Sequence, residues 1–245
     1  MEDDYVGQKG EGYFHWRARW RSDSAQRRSA RVFLSYVRPS DTVIDFGCGT
    51  GGILSHIPCR RRIGIEINEL SVREAREKGI EVFSKLSKVS DRVANVVISH
   101  HALEHVSDPF RILDELRSKL KPDGRIVIVV PAEDPRRAQN QTWHGKPEKH
   151  LFCWTGLTLG NLLSAAGYEV EETFVYHRFC ERCIEWARGR PSLVRSFRSL
   201  IARLFRRNHT IAVAHLPSSQ NSLRQEFDAE DDDDEGVASN DDSIC

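Results

Sequence analysis

The stretch Val43-Ile44-Asp45-Phe46-Gly47-Cys48-Gly49-Thr50-Gly51-Gly52 decides how the rest of the chain is read. A β-branched and aromatic run over 42–46 reads as a buried strand. Four glycines then fall within six residues before apolar sequence resumes at Ile53. Glycine allows a tight bend and lets a ligand approach the backbone with no Cβ in the way. With a helix predicted over 51–57, this is the start of a strand–helix–strand unit. Its turn lies at the carboxyl edge of a parallel sheet, where ligands bind.

Outward from that turn, short apolar runs alternate with amphipathic ones. Residues 63–66, 81–83, 93–99 and 125–130 read as further strands, and 24–37, 70–78 and 109–120 as helices. In the last of these Phe110, Leu113, Leu116 and Leu120 recur at helical spacing. Beyond the fifth strand, 154–166 reads as a helix closed by Gly167, and 168–176 and 210–215 as strands. The expected architecture is α/β: a doubly wound, mostly parallel seven-stranded sheet with an antiparallel last strand and a helical insertion before it. Its 245 residues suit one such domain with a tail. Residues 1–38 form an N-terminal cap and lead-in helix, aromatic-rich (Tyr5, Tyr13, Phe14, Trp16, Trp20) but without strict period. Residues 39–217 form the ligand-binding domain, and 218–245 an acidic, disordered tail.

The formal net charge of zero hides an asymmetry. Ten of the 36 acidic residues lie beyond Arg224, where no Lys or Arg occurs, leaving 26 against 36 basic residues in the body. Much of that positive charge sits in 178–208, where nine arginines face only Glu181 and Glu185. Its second half places Leu193, Phe197, Leu200 and Leu204 on one helical face. The first reading is a lid packed on the domain; the alternatives are a helix lying on an anionic membrane surface and a polyanion patch. No apolar run approaches the roughly 18 residues that span a bilayer. Glu2, Asp3 and Asp4 do not begin a secretory signal. A soluble cytoplasmic protein, peripheral at most, is expected, with its six cysteines as free thiols. His177-x-x-Cys180-x-x-Cys183 wants a fourth ligand that only His209 or His215 offers, so no metal is expected.

Two acidic residues narrow the ligand. Gly47, Gly49 and Gly52 also satisfy a dinucleotide fingerprint, so the loop alone does not choose a cofactor; a P-loop is excluded because no Gly-Lys-Ser/Thr follows. A carboxylate at Asp45 repels a pyrophosphate but suits a ligand carrying an ammonium and a sulfonium. Glu66, about 20 residues on, ends the second strand where an acid accepts hydrogen bonds from ribose hydroxyls.

Asp45-Phe46-Gly47-Cys48-Gly49-Thr50-Gly51, Gly64-Ile65-Glu66, Leu103-Glu104-His105-Val106-Ser107-Asp108-Pro109 and Leu120-Lys121-Pro122-Asp123-Gly124 occur in that order. Together they resemble the successive motifs of class I S-adenosylmethionine-dependent methyltransferases, above all the branch containing ubiquinone-biosynthesis and bacterial glycan-cluster small-molecule methyltransferases. The resemblance runs over 43–170. It implies S-adenosylmethionine as cofactor, with Asp45, Gly47 and Gly49 facing its methionine end, Cys48 and Gly51 in the same loop, and Glu66 beside Ile67 holding its ribose. Residues 99–103, beginning Ser99 and His100, would line the methyl-donor pocket. Two departures stand out: Ser84 and Lys85 occupy the place of an acidic adenine contact, and Ala94-Asn95 replaces the usual Phe-Asp before the fourth strand.

The expected function is methyl transfer to a small-molecule acceptor, at an oxygen of a sugar, quinone precursor or lipid-linked intermediate. The rival readings are a protein methyltransferase, an NAD-dependent oxidoreductase and a catalytically silent binding protein. Nucleic acid is not expected as substrate, because Ser99-His100-His101-Ala102 lacks an Asn/Asp-Pro-Pro-aromatic run. A hydroxyl acceptor must lose a proton as the new bond forms, a task histidine fits at neutral pH. His101, just after the fourth strand, and His150 are the candidates; Glu104 and His105 are read, by analogy with the family, as stabilising the turn there. If the acidic tail shields the arginine-rich insertion, deleting 226–245 raises affinity for a polyanion such as heparin at low salt. An unchanged salt-dependent affinity would exclude self-shielding.

Overall fold

The computed structural model describes residues 4–18, 21–132, 150–177 and 208–217. The arginine-rich insertion, except for the backbone of Asn208, and the acidic tail from 218 lie outside the described residues, as do His144, Cys180 and Cys183. Helix α1 (Gly7–Ala18) and α2 (Asp23–Ala30) precede strand β1 (Thr42–Phe46). Then follow β2 (Arg61–Ile65), α3 (Glu69–Glu77), β3 (Glu81–Phe83), β4 (Ala94–His100), α4 (Pro109–Lys119), β5 (Leu120–Pro131), α5 (Gly156–Ala165), β6 (Glu169–His177) and β7 (Asn208–His215).

The seven strands form one sheet in the order β3-β2-β1-β4-β5-β7-β6. Neighbours from β3 to β5 run parallel, and β7 is antiparallel to both β5 and β6, as the sequence predicts. The central strands read as unbroken apolar runs because both faces are covered. Ile126, Ile128 and Val130 enter one core and Val127 and Val129 the other; Ala212 and Ala214 are likewise split from Ile211 and Val213. The strand order reverses between β1 and β4, which puts the cleft where such sheets bind ligands, at the carboxyl ends of those two strands.

Four local differences from the sequence reading have physical causes. The helix expected over 51–57 is a single 3₁₀ turn, Leu54–His56: Gly51 sits at φ +72°, outside helical space, and Pro58 follows closely. The Arg62 guanidinium ties the ends of that turn by donating to the carbonyls of Leu54 (3.3 Å) and Ile57 (3.0 Å). The helix expected over 24–37 stops at Ala30. Tighter i→i−3 bonds, such as Phe33 to Ala30, then carry the chain onward and bury Phe33 and Val37. Strand β5 begins at Leu120 rather than 125, across a bulge where Ala94 pairs Leu120 and Val96 pairs Arg125. There Asn95 Oδ1 accepts from the Thr42 N–H (3.0 Å) and Lys121 Nζ (2.9 Å), so the Asp-to-Asn departure still anchors the start of its strand.

The fourth difference is α1, which the aperiodic aromatic sequence did not reveal. The helix is held from outside itself. Asn68 Nδ2 donates to the carbonyls of Tyr5 and Gly10, each at 2.9 Å, while its Oδ1 accepts from Ser71 N–H (3.0 Å) as the N-cap of α3. A Cβ at Gly10 would lie 2.2 Å from the Tyr5 carbonyl oxygen, which is why the contact needs glycine there. Among the described residues no helix is long and apolar enough to cross a membrane, and Cys48 and Cys59 are free thiols. Asn68→Ala removes one cap and both anchors; urea unfolding should show a loss of about 2–3 kcal/mol, with protease cleavage near α1 accelerated. An unchanged midpoint would mean that Asn68 does not fasten the cap.

Candidate active site

The site is built at the ends of β1, β2 and β4. Gly47 and Gly49 both have positive φ, +75° and +54°. A Cβ on Gly47 would lie 2.3 Å from the Ala102 Cβ, so the loops after β1 and β4 touch at that point. A Cβ on Gly49 would meet nothing within 4 Å: its Cα faces the open cleft. Cys48 points the other way. Its buried thiol fills the space beside Gly64, and burial, with Asp45 and Glu66 nearby, pushes its pKa well above the usual thiol value, so only its backbone is offered to a ligand.

Two acids converge on this loop. Asp45 is 2% exposed, and burial, reinforced by the nearby Glu66 charge, lifts its pKa to about 7. Burial also raises Glu66, against the backbone N–H groups it accepts from and the positive Arg17 of α1. Those bonds run from Asn68 N (2.8 Å) and Ile67 N (2.9 Å) to Oε1 and from Gly49 N (2.9 Å) to Oε2. Glu66 thus fixes the glycine loop and leaves two mutually repelling carboxyl groups beside open space. Ile67 takes part through its backbone alone. Gly51 is buried, and a Cβ there would meet Ile80 Cδ1 at 2.2 Å, so it packs the loop onto α3 and β3 rather than facing the cleft. Ser99 is 1% exposed and spends its hydroxyl on the Phe46 carbonyl (3.1 Å), sewing β4 to β1. Ser84 and Lys85 are exposed after β3.

Across the cleft the end of β4 gathers histidines. Successive strand residues normally point to opposite faces, but His101 adopts φ +57° directly after His100. The rings of the two therefore stack, with centroids 4.5 Å apart and planes at 23°. His101 Nε2 lies 2.7 Å from Nδ1 of His209 on β7, a hydrogen bond across 108 residues of sequence. His101 Nδ1 is 3.6 Å from the fully buried carboxylate of Glu104, which also lies 3.9 Å from His105 Nε2. Burial, and the adjacent His100 and His209, hold the His101 pKa well below the usual imidazole value, so its ring is neutral at pH 7. His150 packs its ring 5.0 Å from that of His105, and the Leu151 N–H bonds the Glu104 carbonyl (2.8 Å). Of the two predicted catalytic histidines, His101 stands at the cleft and His150 one step behind it, through Glu104.

The sequence reading did not see three contributors. Glu104 had been assigned to the turn, yet its carboxylate sits between His101 and His105. His209, offered in sequence as a ligand for the His177-x-x-Cys180-x-x-Cys183 motif, is instead committed to His101; Cys180, Cys183 and the His177 side chain lie outside the described residues. Arg17 reaches the site from a helix the sequence did not predict.

A methyltransferase-domain family profile matches residues 14–173. The ubiquinone biosynthesis O-methyltransferase of Xylella fastidiosa (strain 9a5c) is 34% identical over 113 residues, covering 41% of this chain and 44% of that one. The geranyl diphosphate 2-C-methyltransferase of Streptomyces lasalocidi is 28% identical over 153 residues, 54% of this chain and 49% of that one. The chain spans between 32% and 50% of the length of such curated relatives. Among solved structures, an S-adenosylmethionine-dependent methyltransferase from Archaeoglobus fulgidus superposes with a TM-score of 0.59 at 23% identity, covering 82% of this chain and 98% of that one.

The raised Asp45 pKa carries a sign. Its contribution to stability is complete below the unfolded value of 3.8 and is lost as pH rises through about 7. Asp45→Asn should therefore flatten the pH dependence of urea stability between pH 5 and 8 and leave the ligand-free variant more stable than wild type at pH 8, by up to about 4 kcal/mol. A less stable variant at pH 8 would show that the carboxylate is solvated or paired.

Proposed function

The chain belongs to the methyltransferase-domain family, and on that premise we propose that it transfers a methyl group from S-adenosylmethionine to an oxygen of a small-molecule acceptor. One observation carries the reading: two desolvated acids, Asp45 and Glu66, share a glycine loop whose Gly49 faces open space. A ligand bearing positive charge and hydroxyl donors relieves both acids at once; a pyrophosphate worsens both. The single 3₁₀ turn after the loop also denies a dinucleotide the helix N-terminus that would hold its phosphates.

S-adenosylmethionine supplies a methyl group already activated by its sulfonium. The protein's remaining work is alignment, exclusion of water and removal of one proton. Asp45 and the backbone at Gly47 and Gly49 would hold the methionine end, and Glu66 would exchange its bond to Gly49 N–H for ribose hydroxyls. The acceptor's hydroxyl proton would be taken by the His101–His209 imidazole pair, at a ring nitrogen outside their shared Nε2–Nδ1 hydrogen bond. Glu104 steadies the cation so formed, in the way a buried carboxylate orients a catalytic histidine elsewhere. The likeness to an O-methyltransferase supports the oxygen assignment.

Calorimetric titration should show S-adenosylhomocysteine binding in the micromolar range and NAD not binding. With a catechol-type acceptor, His101→Ala should lower kcat by roughly 10²–10⁴ with S-adenosylhomocysteine affinity kept, and His150→Ala should lower it less. Binding of NAD in preference, or full turnover by both histidine variants, would overturn the assignment.

A further inference from the structure

Nothing in the methyl-transfer reading explains why three imidazoles converge. A proton-accepting pair needs His101 and His209; His100 is additional. It is brought in by backbone strain, since the positive φ at His101 is unfavourable for a non-glycine residue and stacks two rings that an ordinary strand would point apart. We propose that His100, His101 and His209 form a binding site for a divalent transition-metal ion of the zinc type.

One ligating nitrogen from each of the three lies within 4.8 Å of the others. A tetrahedral zinc ion with nitrogens at about 2.0–2.1 Å places its ligand atoms about 3.4 Å apart. The 2.7 Å contact between His101 Nε2 and His209 Nδ1 has to open by about 0.7 Å, and the third ring has to close in by side-chain rotation. Two further features fit. His101 Nδ1 faces the buried Glu104 carboxylate at 3.6 Å, the carboxylate–histidine arrangement that fixes the tautomer and orientation of a metal-bound imidazole. Three imidazoles with a fourth position open to the cleft suit zinc, cobalt or nickel rather than magnesium or calcium, which want oxygen. On binding, the proton shared between His101 Nε2 and His209 Nδ1 moves to the outer nitrogen of the ring that carries it, so the ion replaces a shared hydrogen bond rather than an empty gap.

The binding inference stands on the histidine geometry. Its consequence rests on the methyl-transfer reading: an ion held by both rings commits the imidazole pair that would take the acceptor's proton, so zinc suppresses turnover and a chelator restores it.

The test is titration of the chelator-treated full chain with Zn²⁺ by calorimetry and with Co²⁺ by visible absorption. One equivalent should bind, with a tetrahedral cobalt band. His209→Gln and, separately, the more exposed position's His100→Gln should each weaken affinity by on the order of tenfold or more, with cooperative thermal melts showing that the variants fold. His215→Gln on the same strand and the Cys180→Ser/Cys183→Ser double variant should bind as wild type does. No stoichiometric binding by wild type overturns the proposal, as does binding that survives both histidine variants or disappears with the cysteines. Zinc binding with the expected histidine dependence, in a protein that ignores S-adenosylhomocysteine, upholds the metal site and removes methyl transfer instead.

Discussion

A buried carboxyl group, Asp45, and a half-buried one, Glu66, are set near each other where both are desolvated, and the rest of the cleft is arranged around that. Asp45 is buried because every residue of the central strand β1 is buried, and Glu66 is drawn in because three backbone N–H groups saturate its oxygens. Burying like charges is unfavourable unless something positive arrives or one of them takes a proton. The raised pKa of Asp45 is the second outcome, available to the empty protein; a cationic ligand supplies the first. The loop pays for its binding function in the ligand-free state, which is why its glycines are packed so differently. Gly47 and Gly51 are pressed against neighbours and hold the bend, whereas Gly49 leaves its side open.

The sheet was legible in the sequence for a physical reason. A strand covered on both faces must be apolar at consecutive positions, and a helix-flanked parallel sheet spaces such runs by amphipathic stretches, so β1, β3, β4 and β7 were placed almost to the residue. What failed was whatever depended on contacts from outside the element. The turn after the glycine loop starts from a Gly51 outside helical φ and stops after the backbone bonds from Ser55, His56 and Ile57, to which Arg62 adds side-chain bonds at the carbonyls of Leu54 and Ile57. Helix α1 buries almost nothing of its own, with Gly10 its one buried residue, and it exists where it does because Asn68, 58 residues away, donates to its backbone. No local pattern encodes that bond.

The same distinction separates the two halves of the site. The acids and glycines of the first half lie within one strand–turn–strand unit, so spacing alone exposed them, and their chemistry could be argued from charge. The second half is assembled across the sheet: His100 ends β4 and His101 follows it, Glu104 comes from the turn beyond, and His209 from the antiparallel strand that inserts between β5 and β6. Sequence reasoning could rank His101 first among the histidines because it follows the fourth strand. It could not pair that ring with His209, since the pairing depends on β7 lying next to β5, which in turn lies next to β4.

The two halves meet where Gly47 lies against Ala102, a contact too close for any side chain on the glycine. This makes the acid cradle and the imidazole cluster parts of one rigid edge rather than two sites. Gly47 is the residue after Asp45 and Phe46 on one side, and Ala102 is the residue after His101 on the other. A displacement of either loop therefore shifts an acid and an imidazole together. For an in-line displacement, whose rate depends on the alignment of donor and nucleophile to within fractions of an ångström, such coupling is an advantage that chemistry on the side chains alone cannot provide. The strained φ of His101 belongs to the same economy: the backbone at this edge is held in unfavourable conformations on both strands, at Gly47 at little cost because it is glycine and at His101 at real cost because it is not. The strain at His101 is maintained by its N–H bond to the Val129 carbonyl (2.8 Å) and by the ring bond to His209, both anchored in the most buried part of the sheet. Rigid strands thus hold reactive groups in place where a flexible loop would let them relax.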